Sequence, residues 1–379
     1  MTSRPEIKKF AVFFCLFFVV FSTQSVFAQD IWKGFEKYFP PIRNYVVYQT
    51  TDSVIIDGKG EEPAWEQATW TGDFADIEGP EKPAPLWPTR LKMIWDQKAL
   101  YILAELTEPN IWAYYQTHDQ IVYHENDFEV FIDPDQDTQN YFEFELNAAN
   151  TLFDLFMTKP YRNGGLPIIN WDAPHFRSAV SIDGTINDPK DTDRKWTIEM
   201  AIPFEDLRLG VFGQVPADGQ TWKINFSRVN WQTEVVNGKY QRKKDAKTGR
   251  QLSEYNWVWN PTGEINMHLP ERWGMIQFSE QPVANQQVVF KTQEGETFRK
   301  YLWLVFYKQQ QFMKNNKRYA GSLAELELPG IFSSESGENF GLTLWATEKQ
   351  YTAAVRSGEA SDQWMINDQG IVWKTTNNK

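Results

Sequence analysis

Residues 125 to 147 read ENDFEVFIDPDQDTQNYFEFELN, eight carboxylates in 23 positions with no lysine or arginine among them. Carboxylates at this density serve three kinds of chemistry: acid–base work by a pair, coordination of a hard cation, or acceptance of hydrogen bonds from a hydroxylated ligand. Strand alternation sorts them. In NDFEVFID, Phe128, Val130 and Ile132 point one way and Asp127, Glu129, Phe131 and Asp133 the other. In YFEFELN, Phe142, Phe144 and Leu146 oppose Glu143, Glu145 and Asn147. A hairpin of the two merges their polar faces into one carboxylate-lined surface, whose plainer alternative is a row of solvated acids.

The turn between them, Asp133-Pro134-Asp135-Gln136-Asp137, sets three carboxylates at alternate positions, the oxygen ligands that calcium prefers. It is not an EF-hand, because its sixth position is Thr138 and its twelfth Phe144. Calcium at Asp133, Asp135 and Asp137 is thus the one cofactor these residues suggest. A glycosidase needs two carboxylates about 5 Å or about 6.5–9.5 Å apart across a cleft. Glu129 with Glu143 or Glu145 would supply a hydrolase of O-glycosyl compounds, but nothing singles out a pair. His118, His124, His175 and His268 lack metal-ligand spacing, and nucleophile-elbow, phosphate-loop and dinucleotide glycine patterns are absent from the chain. Binding without catalysis is the expectation. Arg228 shares phase with Ile224 and Phe226 in KINFSRVN, so it points inward and needs a carboxylate, Asp127 or Glu143.

These residues need strands to position them. From Tyr45 to about Ser279 the chain alternates with period two between Gly, Pro, Asn and Asp, and no helical stretch of ten residues interrupts it. The fold expected is all-β: an antiparallel β-sandwich, immunoglobulin- or jelly-roll-like, with short helical turns at Pro63 to Ala68 and Pro203 to Leu207. A lysine-rich insertion lies between Trp231 and Pro270, of a length that is functional or disordered in compact domains. Beyond residue 280, Phe298, Leu302, Val305, Phe312 and Met313 fall on one helical face, and YLWLVFY makes the middle of that helix apolar all round, as in a helix packed on two sides. Ser322 and Glu325 form a capping box before a short second helix, and two strand-like runs follow. The divisions expected are a signal peptide (1–28), an N-terminal segment (29–44), a sandwich (45–280) and a small C-terminal α+β extension (281–379).

The signal-peptide reading rests on Arg4, Lys8 and Lys9, the twelve-residue apolar run from Phe10 to Phe21, and Val26 and Ala28 at a cleavage site before Gln29. The run is shorter than the ~20 residues of a membrane helix. Cys15, the only cysteine, lies inside it, so the mature chain would be stabilised without disulfides. Its removal moves the formal charge from -12 to -14, which disfavours nucleic acid as a partner. Aromatics stand out: 17 Trp, 15 Tyr and 27 Phe, more than a core alone usually takes. Indole faces beside carboxylates complement the C–H faces and hydroxyls of a pyranose.

The runs VIIDGKGEEPAWEQA (54–68), RLKMIWDQKALYILAELTEPNIWA and ENDFEVFIDPDQDTQNYFEFELNA together resemble the carbohydrate-binding family 9 domains, over residues 45 to 279. The resemblance implies a β-sandwich that holds sugar between aromatic rings, with calcium bound elsewhere. It places Glu129 at the family's glutamate in the E-x-F-I-D strand and Tyr123 at the first clamp position, where sugar binders carry Trp. Glu145 replaces the family's arginine, and the second clamp position falls near Met267, with Trp257 and Trp259 close by. Adding the platforms that the aromatic-plus-acid argument offers, Trp112 and Trp171, gives the carbohydrate site expected: Trp112, Tyr123, Glu129, Glu145, Trp171, Trp257 and Trp259. The function expected is that of an exported, periplasmic or extracellular protein that binds a glycan without cleaving it, for polysaccharide recognition and catabolism. An alternative class is a structural or interaction protein whose C-terminal helix, within residues 281–379, docks another envelope component.

Overall fold

The computed structural model describes residues 30–293, 295–333, 337–357 and 363–375. The signal-peptide expectation and Cys15 lie outside them. Strands β1 (Asn44–Gln49), β2 (Ala75–Asp76), β3 (Thr89–Trp95), β4 (Ala99–Thr107), β5 (Asp127–Asp133), β6 (Tyr141–Asn147), β7 (Leu152–Met157) and β8 (Pro167–Ile168) come first. They are followed by β9 (Arg177–Asp183), β10 (Lys195–Pro203), β11 (Thr221–Asn230), β12 (Thr233–Val236), β13 (Lys239–Arg242), β14 (Tyr255–Val258) and β15 (Gly274–Pro282).

One layer runs β8-β7-β6-β5-β11-β15 and the other β1-β3-β4-β10-β9, with β14 pairing with both β11 and β2. Between the layers, Phe128, Val130, Ile132, Phe142, Phe144, Trp222, Ile224 and Phe226 meet Leu91, Met93, Ile102, Trp196, Ile198 and Met200. Period-two alternation produces this: every second residue of each strand enters the core. The sandwich is antiparallel except at β1, which runs parallel to β15 over Asn44 to Tyr48 and to β3 at Tyr48 and Gln49. A register shift between Tyr48 and Gln49 passes the strand from one layer to the other and closes the seam.

The I-D-G-x-x-x-x-P-A-W run belongs to this scaffold. Glu199 of β10 is fully buried and accepts hydrogen bonds from the Asp57 and Gly58 amides (3.1 and 3.0 Å) and from the Trp65 indole (2.7 Å). Gly58 sits at φ 82°, where a Cβ would come within 2.8 Å of the Ser181 nitrogen. Pro63 opens helix α1 (Pro63–Gln67), which seats the Trp65 ring in the interior. After Pro203, a 3₁₀ turn over Phe204–Leu207 leads into α2 (Arg208–Val211).

Helix α3 (Gly295–Asn316) and the antiparallel meander β16 (Ile331–Ser333), β17 (Asn339–Ala346), β18 (Tyr351–Ser357), β19 (Gln363–Asn367) and β20 (Val372–Thr375) form the C-terminal unit. Leu302, Leu304, Val305 and Phe306 of α3 share a core with Ala353, Val355 and Ile366. Its other side meets the N-terminal segment, where Tyr38 stacks on Tyr307 at 4.4 Å, so the helix is indeed packed on two sides. Only half of the capping box forms: the Glu325 amide donates to Ser322 Oγ at 3.4 Å, but the Glu325 carboxylate accepts from the Gly321 amide (2.6 Å), and the helix that follows is one 3₁₀ turn over Ala324–Leu326. A buried charge network ties this unit to the sandwich: Arg162 donates to Glu271 (2.9 and 3.0 Å), and Arg272 donates to the Tyr307 hydroxyl (2.8 Å), which in turn donates to Glu271. Among the described residues, no helix is long and apolar enough to cross a membrane.

Gly58→Ala combines a left-handed backbone with a clash against the backbone of β9, so it is expected to lower unfolding free energy by about 2 kcal/mol or more. Urea titration checks this; an unchanged midpoint would show that the turn can relax.

Candidate functional site

The outer face of the β5–β6 hairpin carries the carboxylates. Glu129 lies directly opposite Glu145, and Phe131 opposite Glu143. Beside them β7 contributes Phe153 and Leu155, and β11 places Ser227 across from Glu129. Together with loops above the sheet, these residues line a pocket of about 470 Å³. Phe131, Phe153, Leu155 and Val229 give it an apolar floor around Glu129, Glu143 and Glu145. Tyr123 and Tyr161 stand at its rim, 41% and 44% exposed, with Ile121, Ile169 and Ile265. The Trp231 indole donates to the Tyr123 carbonyl at 2.9 Å, so the start of the insertion holds the first rim tyrosine in place. The insertion also supplies Glu254, Asn256, Met267 and His268 as wall.

The electrostatics are one-sided. Among the described residues, neither lysine nor arginine lines the pocket. Glu143 and Glu145 are 4% and 2% exposed, and an oxygen of each finds no donor among the described protein groups. Burial, reinforced by neighbouring carboxylates, raises Glu129 to about 7 and Glu143 to about 8, and pushes Glu145 and Asp127 well above the usual carboxylate range. Four acids this close cannot all ionise together, so they titrate as a group. Burial lowers His268 to about 4, and its imidazole is therefore neutral, 2.9 Å from the Tyr141 hydroxyl and 4.0 Å from Glu143.

Of the residues expected at the site, the structure brings together Tyr123, Glu129 and Glu145. The four tryptophans are elsewhere. Trp112, Trp257 and Trp259 are buried at 4% exposure or less and offer no free face for a sugar. Trp257 stacks on Tyr255 at 5.4 Å, with Arg228 over its ring, and Trp259 packs on Phe226. Trp171 is half-buried against Phe142 and Phe144, on the core side of the sheet away from the glutamates. The reason is parity: a ring beside an even-numbered residue of β6 is on the wrong face.

The same parity corrects the partner expected for Arg228. Asp127 and Glu143 lie on the opposite face; Arg228 instead pairs with Glu108 at 2.7 Å and donates to Thr89 Oγ1 at 3.0 Å. Asn126 and Asn230 also donate to Glu108, which completes a buried polar cluster. Tyr161, Glu143, Glu254, Met267 and His268 were absent from the site expected. Phase alone pairs Glu143 with Glu145 and could have found it; the loop residues carry no such signal.

The acidic turn joins the two strands of the hairpin. Asp133 accepts the Gln136 and Thr138 amides at 3.0 Å each, and Asp137 accepts the Gln139 amide at 2.7 Å. Oxygens of Asp133, Asp135 and Asp137 lie within 4.8 Å of one another. The C-terminal unit rests on this turn, with Arg299 donating to the Gln136 carbonyl (2.6 Å) and Thr138 to the Gly370 carbonyl (3.1 Å). A second cluster brings the exposed His118, Asp119 and Asp172 to the buried Asp154.

Fold and pocket define a ligand-binding β-sandwich module. The chain belongs to the family described as carbohydrate family 9 binding domain-like, whose model matches residues 56–277. Among solved structures, a Bacteroides uniformis protein described as carbohydrate-binding aligns at 15% identity and a TM-score of 0.46, covering 63% of this chain and all of its own. A family 9 carbohydrate-binding module from Caldicellulosiruptor kristjanssonii in complex with cellotriose aligns at 16% identity and a TM-score of 0.39, covering 66% of this chain and all of its own. No curated protein matches.

Carboxyls with raised values hold protons that the unfolded chain releases, so their contribution to stability is complete below about pH 4.5 and is lost as pH rises through about 7 to 8. The melting temperature is expected to fall over that window, and Glu143→Gln to raise it at pH 8 by about 4 °C. Scanning calorimetry at several pH values reads this; a variant that melts with its parent at pH 8 would contradict the burial of an uncompensated acid.

Proposed function

We propose that the protein is an exported, non-catalytic glycan-binding module, acting in polysaccharide recognition and breakdown in the periplasm or outside the cell. One observation carries the reading: on a family 9 scaffold, three glutamates at the floor of a pocket face two rim tyrosines. Tyrosine faces stack on the C–H faces of a pyranose, and carboxyl groups accept its hydroxyl protons. The cavity is of small-ligand size. Export is supported by the leader-like residues 1–28 and the lack of cysteine after them.

Glycosidic catalysis is less well supported, because Glu129, Glu143 and Glu145 lie side by side on one sheet face, whereas a hydrolase sets its two carboxyl groups on either side of the bond to be cut. The acidic turn suits calcium. Asp133, Asp135 and Asp137 would hold the ion, whose role there would be to fix the turn on which the C-terminal unit rests. The remaining surface of residues 281–379 is proposed to dock an envelope protein.

Affinity electrophoresis and calorimetry across a panel of polysaccharides and their oligomers are expected to find at least one ligand at millimolar concentration or below. Tyr123→Ala and Tyr161→Ala should each weaken it about tenfold, which is about 1.4 kcal/mol. No binding at millimolar concentration, or tyrosine variants that bind as the parent does, would remove the reading. Calcium at 100 times its dissociation constant should stabilise the protein by about 2.7 kcal/mol, reversed by chelator; a melting temperature indifferent to both would exclude the ion.

A further inference from the structure

We propose that the pocket over β5 and β6 selects saccharides carrying a free amino group, with the ammonium seated among Glu129, Glu143 and Glu145. This rests on the glycan reading above and narrows its ligand. Among the described residues, the pocket wall contains four carboxylates, from Glu129, Glu143, Glu145 and Glu254, and no lysine or arginine. Among the described residues, none of the three floor glutamates forms an ion pair with lysine or arginine, and His268 at 4.0 Å from Glu143 is the one titratable base near them.

A buried carboxylate is normally met by a cation or several donors. Here Glu143 and Glu145 are more than nine-tenths buried, line the cavity, and each keeps an oxygen without a donor. A cation that enters the cavity would favour the ionised carboxyl and supply the donors it lacks. A sugar hydroxyl brings one donor and no charge, whereas an ammonium brings three donors and a full positive charge. Rim and floor argue that the cation arrives on a ring: Tyr123, Tyr161, Ile121 and Ile265 offer faces to apolar C–H groups. A bare divalent ion would use the oxygens of Asp127, Glu129 and Glu145, which lie within 4.8 Å of one another, but it would leave the aromatic rim and most of the 470 Å³ without a purpose. The acidic chain as a whole favours the approach of cationic glycans.

Calorimetry with matched sugars tests the idea: glucosamine against glucose, galactosamine against galactose, and a β-1,4 glucosamine trimer against cellotriose, at a pH where the amine is protonated. The amino member of at least one pair is expected to bind tenfold or more tighter than its hydroxyl twin. Glu143→Gln and Glu145→Gln should cut that ratio below threefold, with each variant still melting in one cooperative transition at the pH of the titration. If no pair shows the preference but a neutral member binds, the proposal fails and the glycan reading stands; if no member of any pair binds, both fail. A preference that survives both substitutions, or displacement of the amino sugar by micromolar calcium, also overturns it.

Discussion

Burial of like charges on one sheet face is the constraint on which the site depends. The β5–β6 register sets Glu129 against Glu145 with Glu143 two residues along, and among the described residues neither lysine nor arginine lines the pocket they share. Raising a carboxyl from 4.5 to about 8 corresponds to a few kcal/mol, at about 1.4 per pH unit. That cost is carried by the other side of the same strands, where Phe128, Val130, Ile132, Phe142, Phe144 and Leu146 are fully enclosed. The hairpin is thus divided lengthwise: one parity stabilises the fold, and the other holds the buried carboxyls that line the pocket.

The aromatic residues divide in a similar way. Trp65, Trp95, Trp196, Trp222, Trp257, Trp259 and Trp273 are among the largest fully buried side chains, so the tryptophan excess builds the interior. Several use the indole N–H to anchor the chain: Trp65 on Glu199, Trp95 on the Ser279 carbonyl, and Trp273 on the Met267 carbonyl. The last of these fixes the segment that brings Met267 and His268 into the pocket wall. Exposed rings at the pocket are tyrosines, whose polar ends suit a wet rim.

Alternation made the sandwich, the two faces of the acidic hairpin and the inward course of Arg228 legible in the sequence, because strand parity is a local property. What was not legible depends on contacts distant along the chain. Glu108 meets Arg228 across 120 residues, and the pocket walls come from the 158–169 loop and the 231–270 insertion, whose positions no periodicity encodes. Composition misled about the tryptophans, since a count cannot tell a ring on the pocket face from one on the core face. The family-like I-D-G and P-A-W residues proved to be structural, bound to Glu199 rather than to the pocket.

The C-terminal unit is tied in by both the Arg162–Glu271–Tyr307–Arg272 network and the acidic turn, so the hairpin that shapes the pocket also touches the second unit. The account is tested most directly by locating the ligand. Isoleucine-methyl NMR during titration with an oligosaccharide that binds should shift Ile121, Ile169 and Ile265 at the pocket and leave Ile55 and Ile331 unmoved. Shifts confined to Ile55 or Ile331, with the three pocket methyls silent, would show that the saccharide sits elsewhere.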